Sequence, residues 1–239
     1  MEFKEKIHEL IDKAKDFVKG KSIDTLSEIV NGYKKKEYHT KPGNLSFEIK
    51  STGETAYQRA IFLSKKTTLK PLGEVIWNDL ELPVVFSNSR RRRCVDLIGT
   101  LNNDKLVLCE LKFTSTNSYH SESPIYAVLE LLIYYYLIKD NSKELDKKKV
   151  FHTNSREPFE WSDINSNSIF IFGANNKYWD YWKKRYEKQK GEIDLWLKGL
   201  PIKVRFFSSD DFDFKDQKEN KEKYTPSVSE KTEWTEVFL

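Results

Sequence analysis

The segment "RRRRCVDLIGTLNNDKLVLCELKF", residues 90 to 113, places three charged residues within two otherwise apolar stretches. The two stretches flank the tripeptide NND, whose residue types tolerate the left-handed backbone of tight turns. The pattern therefore predicts a β-hairpin with a three-residue loop. Because strand side chains alternate between faces, this loop sets Asp96 opposite Glu110, whereas a two-residue loop would place them on opposite faces. Lys112 lies two residues after Glu110 and shares its face.

Two adjacent carboxylates in an apolar strand pair repel each other and lose their hydration. A stable core gains nothing from Asp96 and Glu110 unless a cation lies between them. Magnesium or manganese suits such an all-oxygen site. Lys112 would then contact whatever the metal binds. The alternative is an ordinary buried ion-pair cluster, since buried charges in proteins are either paired or bound to metals.

The composition sets broad limits on the class of protein. A chain of 239 residues with 38% hydrophobic residues can bury one sizeable core. The net charge of +4 mildly favours an acidic partner such as nucleic acid. Cys94 and Cys109 lack metal-site spacing, which indicates reduced thiols in a cytoplasmic protein. The N-terminal segment is charged and no stretch reaches the roughly 18 apolar residues of a membrane span, so neither a signal peptide nor a membrane span is expected.

Local patterns predict the elements around the hairpin. A helix is expected over "GETAYQRAIFLSKK", with Glu54 in its first turn, and a long apolar helix is expected to start at Ser123 and Pro124. Gly173 is expected to end the short buried strand "NSIFIFG". The order of helix, three strands, helix, strand, helix and strand indicates an α/β fold with a central mixed β-sheet flanked by helices on both faces.

The same patterns predict three regions along the chain. A helical extension is expected over residues 1–43, followed by the sheet-containing core over 44–208. Residues 209–239 are polar and charged, which predicts a tail, although Trp234, Val237 and Phe238 could dock its end onto the core.

The hairpin motif, "VDLIG" followed by "LVLCELKF", resembles the D...ExK motif of the PD-(D/E)xK nuclease superfamily, with Val95 where that family's proline would stand. The resemblance extends over roughly residues 52–208 and implies the restriction-endonuclease-like αβββαβ core. Glu54 matches a glutamate that many members carry on the helix before the sheet. The segment "ELLIY" supplies Glu130 and Tyr134 at the spacing of the Gln-x-x-x-Tyr motif of the RecB-like branch, with Glu in place of Gln.

The resemblance also implies roles for these residues. Asp96, Glu110 and the backbone carbonyl of Leu111 would bind Mg²⁺ or Mn²⁺, and Glu54 would support a second metal ion. Lys112 would orient the attacking hydroxide and stabilise the charge that develops on phosphorus. The implied catalytic set comprises Asp96, Glu110, Lys112, Glu54, Glu130 and Tyr134.

Several of these residues have a purely structural alternative. Glu54 is also explained as a partner of the helix dipole. Glu130 could lie on a solvated helix edge and Tyr134 could be a packed aromatic residue. By strand alternation Arg90 and Arg92 share the side of Asp96 and could contact phosphate, although a solvated strand end explains them equally well.

The segment "NKYWDYWKKRYEKQKG" predicts an aromatic and basic helix. Its basic residues suit contact with nucleic acid, but Trp and Tyr at helical spacing are more typical of a core. The sequence alone leaves both alternatives open.

The predicted function is a metal-dependent nuclease that hydrolyses phosphodiester bonds in DNA. The alternative is a catalytically inactive, nuclease-derived module that binds nucleic acid or protein. RNA or nucleotides as substrate also stay open, because a fold does not determine a substrate. No GxxxxGK[ST] motif occurs, so a motor or specificity function would belong to a separate subunit. A homodimer is also left open.

Overall fold

The fold is described from a computed structural model, which covers residues 46–85, 93–115, 122–148, 160–218 and 222–238. The predicted helical extension over 1–43 lies outside these ranges. Within the described ranges no helix has the length and apolar character needed to cross a membrane.

Four helices and seven strands make up the described chain. The helices are α1 (Glu54–Leu63), α2 (Pro124–Lys148), α3 (Asn176–Tyr186) and α4 (Lys190–Lys198). The strands are β1 (Lys66–Lys70), β2 (Gly73–Val85), β3 (Arg93–Leu101), β4 (Lys105–Lys112), β5 (Ser168–Asn175), β6 (Val204–Ser209) and β7 (Thr232–Val237). Short 3₁₀ turns lie at Trp161–Asn165 and Glu187–Gln189.

The seven strands form one closed barrel in the order β1 to β7. Strands β1 to β4 are antiparallel neighbours, β4, β5 and β6 are parallel, and β7 is antiparallel to β6. The barrel closes because β7 also pairs in parallel with β1, from Thr67 opposite Thr232 to Lys70 opposite Thr235. Closure gives every strand of the barrel a neighbour on both sides and removes exposed sheet edges.

The predicted α/β fold, an open mixed sheet with helices on both faces and a restriction-endonuclease-like αβββαβ core, is wrong. The predicted sheet contains neither "KTTLK" nor "TEWTEV", which form β1 and β7 and join the two ends of the sheet. The inner face then encloses a filled interior. Among the described helices, only α1 contributes side chains to it. Helices α2, α3 and α4 pack on the outer face.

Two apolar clusters lie on the two faces of the barrel wall. The inner cluster includes Val107 and Phe207 from the strands and Tyr57 from α1. The outer cluster includes the alternate strand residues, such as Leu108 and Phe172, together with the apolar side of α2. Every residue of β4 after the first is buried, which confirms the prediction that this strand is covered from two sides.

Trp234 of β7 fills part of the barrel interior. Its side chain is fully buried, and its ring centroid lies 6.0 Å from that of Trp77. A Cβ atom added at Gly173 would lie 2.5 Å from Cζ3 of Trp234, so the close approach of this ring requires glycine. Strand β5 continues to Asn175, and the prediction that Gly173 ends the strand is therefore wrong.

We expect Trp234→Ala to lower the free energy of unfolding by about 3 to 5 kcal/mol, because it empties a large fully buried site. Phe238→Ala is the matched control, since this nearby aromatic side chain is 73% exposed and its removal should change stability little. Urea denaturation of both variants measures the difference. Equal, small effects would show that β7 is not part of the cooperative core.

Candidate active site

The hairpin of β3 and β4 has the geometry that its sequence predicts. Residues 102–104 form the three-residue loop, and Asn102 and Asn103 have φ values of 52° and 57°. Leu97 pairs with Cys109, and extending this antiparallel register by one residue sets Asp96 opposite Glu110. The two carboxylates therefore share one face of adjacent strands.

This shared face is the outer face of the barrel, beneath the start of α2. The exposed fractions of Asp96, Glu110 and Lys112 are only 9%, 3% and 4%. Leu106 and Leu108, which precede Glu110 on the same side of β4, belong to the outer apolar cluster. The charged group thus continues an apolar row into the carboxyl end of β4, where β4, β5 and β6 run parallel.

Lys112 is surrounded by carboxylates from several segments of the chain. Its Nζ donates a hydrogen bond to Oε1 of Glu110 at 2.5 Å and to Oε2 of Glu130 at 3.3 Å. It also lies 3.9 Å from Oε1 of Glu54 and 3.6 Å from Oε2 of Glu122. Burial acts to lower the pKa of Lys112, but the surrounding carboxylates together outweigh burial and raise this pKa well above its usual value. The lysine is therefore an ammonium ion and cannot act as a general base near neutral pH.

Asp96 and Glu110 bind protons more tightly than exposed acids do. Burial raises the pKa of Asp96 to about 8, although the charge of Lys112 and a 2.8 Å hydrogen bond from the Leu111 amide to Oδ2 oppose the shift. Burial and the neighbouring charges of Asp96 and Glu130 raise the pKa of Glu110 well above its usual value. In the absence of an added cation, the pair is therefore at least partly protonated at neutral pH.

The helix residues predicted for the site reach it. Glu54, in the first turn of α1, and Glu130, on α2, both lie within 4 Å of Lys112, so neither contacts only solvent. Tyr134, one turn after Glu130, is buried, and burial together with the charges of Glu130 and Glu110 raises its pKa well above the usual value. The six residues of the implied catalytic set are thus neighbours, while their catalytic roles stay predictions.

Glu122 is a member of this cluster that sequence reasoning missed. Its backbone carbonyl accepts a 2.7 Å hydrogen bond from the Tyr178 hydroxyl of α3. Burial raises the pKa of that phenol, and the charge of Lys112 opposes the shift, as expected for a group beside the site. Its position in the sequence could have indicated this role, because Glu122 immediately precedes the N-cap residue of α2. That N-cap is Ser123, whose hydroxyl accepts a hydrogen bond from the Tyr126 amide. A carboxylate at such a helix start lies close to whatever the first turn faces.

Arg90 and Arg92, predicted to contact phosphate, lie outside the described residues. The described part of the neighbouring strand, β3, covers Arg93–Leu101. Their role stays a prediction from strand alternation.

A metal ion fits this site in part. Within the described ranges, no group of three or more His, Cys, Asp or Glu side chains is arranged to hold a metal ion. The pair of Asp96 and Glu110 nevertheless offers a free acceptor for a cation, because Oε2 of Glu110 is buried and accepts no hydrogen bond. A divalent cation would satisfy this oxygen and favour the ionised pair. The second metal implied for Glu54 has no comparable support, since Glu54 contacts Lys112 instead.

Comparisons of this chain with protein-family models, with curated proteins and with solved structures gave no match. The interpretation of the site therefore depends on its own geometry and chemistry.

The raised pKa of Asp96 predicts how stability depends on pH in metal-free buffer. Between about pH 4 and pH 8 the folded protein keeps a proton on Asp96 that the unfolded chain releases, so the free energy of unfolding should fall as pH rises across that range. Asp96→Asn should flatten this dependence, and Mg²⁺ should stabilise the wild type more at about pH 8 than at about pH 5. Denaturation at a series of pH values measures both effects. A slope that Asp96→Asn leaves unchanged would contradict the assignment.

Proposed function

We propose that this protein is a metal-dependent nuclease that hydrolyses phosphodiester bonds, with DNA as its substrate. The observation that carries the proposal is the buried pair of Asp96 and Glu110, which has an oxygen without a hydrogen bond and an ammonium group beside it. Buried, mutually repelling carboxylates oppose folding, whereas they suit a site that is completed by a cation.

Each group of the site has a role in this chemistry. Asp96, Glu110 and the carbonyl of Leu111 would hold Mg²⁺ or Mn²⁺, which supplies Lewis-acid activation of water and phosphate. Lys112, held as an ammonium ion, would neutralise charge that develops on the phosphate oxygens. Glu54 and Glu130 hold the Nζ of Lys112 in place. The proposal depends on these side chains and not on the fold, because the closed barrel differs from the sheet that the family resemblance implies.

The proposal is tested by incubating the full chain with single-stranded, double-stranded and branched DNA and with RNA of matched sequence. We expect cleavage in Mg²⁺ or Mn²⁺, none in EDTA, and cleavage by Asp96→Asn that is slower by about 10³-fold or more. Cleavage in EDTA, or equal cleavage by Asp96→Asn, would indicate a contaminating enzyme and contradict the proposal. Binding of nucleic acid without cleavage in any metal would favour the catalytically inactive module instead. Size-exclusion chromatography with light scattering tests whether the chain forms a homodimer.

A further inference from the structure

Helix α3 is a short and strongly basic surface element. Its sequence "NKYWDYWKKRY" contains four basic residues and one acid, so the helix has a net charge of +3 in a chain whose total is +4. The aromatic residues Tyr178 and Trp179 are fully buried against the barrel, which agrees with the core alternative for that part of the pattern. The basic residues remain at the surface.

The basic residues are not spread evenly around α3. Lys177, Tyr181, Lys184 and Arg185 recur at spacings of four, three and one residues and therefore share one side of the helix, here called the basic face. All three cations of the basic face are exposed, and Tyr181 is half-buried. Lys183 lies on another side, about 145° from the centre of the basic face at 3.6 residues per turn.

Arg185 is held in place on this face. Its guanidinium lies 4.5 Å from the ring centroid of Tyr181 and 5.9 Å from that of Trp182. A cation–π contact at an exposed site contributes about 0.5 to 1 kcal/mol and restricts the long side chain. The guanidinium therefore loses less conformational entropy when it binds an anion.

Helix α3 contacts the segment that borders the carboxylate site. The Tyr178 hydroxyl of α3 donates its hydrogen bond to the carbonyl of Glu122, whose own carboxylate lies 3.6 Å from Nζ of Lys112. Lys177 is adjacent to Tyr178 in the chain. The first turn of α3, which also carries Lys177, is thus anchored to the segment that borders the site.

We propose that the basic face of α3 binds the phosphate backbone of a polynucleotide and guides it to the site at Asp96 and Glu110. This inference rests on the proposed function, which requires a polyanion beside buried carboxylates that repel it. From Lys177 to Arg185 the helix rises about 12 Å, which equals the axial rise of about three or four base pairs of a B-form duplex. Tyr181 positions Arg185 and is not required to stack on a base.

Binding is measured with the full chain carrying Asp96→Asn, in EDTA, by the fluorescence anisotropy of labelled single-stranded and duplex DNA over a range of salt. We expect Lys184→Ala and Arg185→Ala each to weaken binding several-fold and to reduce the salt slope by about 0.7 to 0.9 log units, depending on the strand form. Lys183→Ala is the matched control, because it removes the same charge from the same helix on another side. This control should leave both affinity and slope unchanged.

Equal losses of DNA affinity for Lys183→Ala and Lys184→Ala, or no loss for either, would overturn the inference. The side of α3 on which a positive charge lies would then make no difference to binding. Loss of binding to anionic lipid vesicles without loss of DNA binding would also overturn it and would identify a membrane surface as the partner. The proposed function fails separately. Metal-dependent cleavage that does not require the basic face overturns only the inference, whereas basic-face-dependent binding without cleavage overturns only the nuclease.

Discussion

Asp96→Asn and Glu110→Gln are each expected to reduce metal-dependent cleavage by about 10³-fold or more while the barrel stays folded. Each substitution removes a charged ligand from the proposed metal site, and several kcal/mol of transition-state stabilisation depend on that metal. In Asp96→Asn the new side-chain amide keeps an oxygen that can accept the hydrogen bond from the Leu111 amide, so the strand geometry should survive. Rates under single-turnover conditions, with circular dichroism of the same samples, measure both results.

The matched control is Asp104→Asn in the loop of the same hairpin. Asp104 is exposed, and its side chain interacts with Asn167 rather than with the site, so activity should not change. We also expect Asp96→Asn to be more stable than the wild type in metal-free buffer above about pH 8, because one of two repelling carboxylates has gone. Loss of folding in Asp96→Asn would instead indicate a structural ion-pair cluster.

Lys112→Met is expected to lower the free energy of unfolding by about 3 to 5 kcal/mol at neutral pH. The substitution nearly keeps the length of the side chain but removes the cation that contacts Glu54, Glu110 and Glu130. Removing one partner of a buried ion pair leaves uncompensated charge, which costs more than the pair itself contributes. The destabilisation should be smaller at about pH 5, because burial raises the pKa of Glu110 well above its usual value and its carboxyl group is then protonated to a greater extent.

Lys66→Met is the comparison for this experiment. Lys66 forms a 2.8 Å ion pair with Glu74, but both side chains are about half exposed, so solvent screens the pair. Its removal should change stability by about 1 kcal/mol or less. Chemical denaturation at about pH 5 and pH 8 distinguishes the two variants. Similar small effects at both positions would mean that the carboxylates around Lys112 do not depend on this cation for their burial.

The arrangement of the hairpin could be predicted from sequence because every determinant is local. The tripeptide NND favours a three-residue loop, and strand alternation then determines which residues share a face with Asp96. The sequence signals for the starts of α1 and α2 were also local. Glu54 lies in the first turn of α1, and Ser123 caps α2. The site residues of the hairpin could therefore be chosen without knowledge of the fold.

The surroundings of Lys112 could be predicted only in part. Glu54 and Glu130 were found through motif spacing, whereas Glu122 belongs to no motif and reaches Lys112 because α2 begins above β4. A helix start specifies its own first turn but not the element that this turn faces. A contact between two elements, such as that of Glu122 with Lys112, depends on how the helix packs on the sheet. No local sequence pattern predicts that packing.

Local sequence patterns are sufficient to predict the hairpin register, the shared face of Asp96, Glu110 and Lys112, and the burial of that hairpin from two sides. The closure of the sheet into a barrel follows from long-range contacts instead. Closure requires β1 to pair with β7, and these strands are separated by most of the described chain. Each is short and exposes alternate polar residues, so its local pattern does not specify a partner. The pairing becomes favourable once the inner faces can bury Trp234 against Trp77 and Gly173.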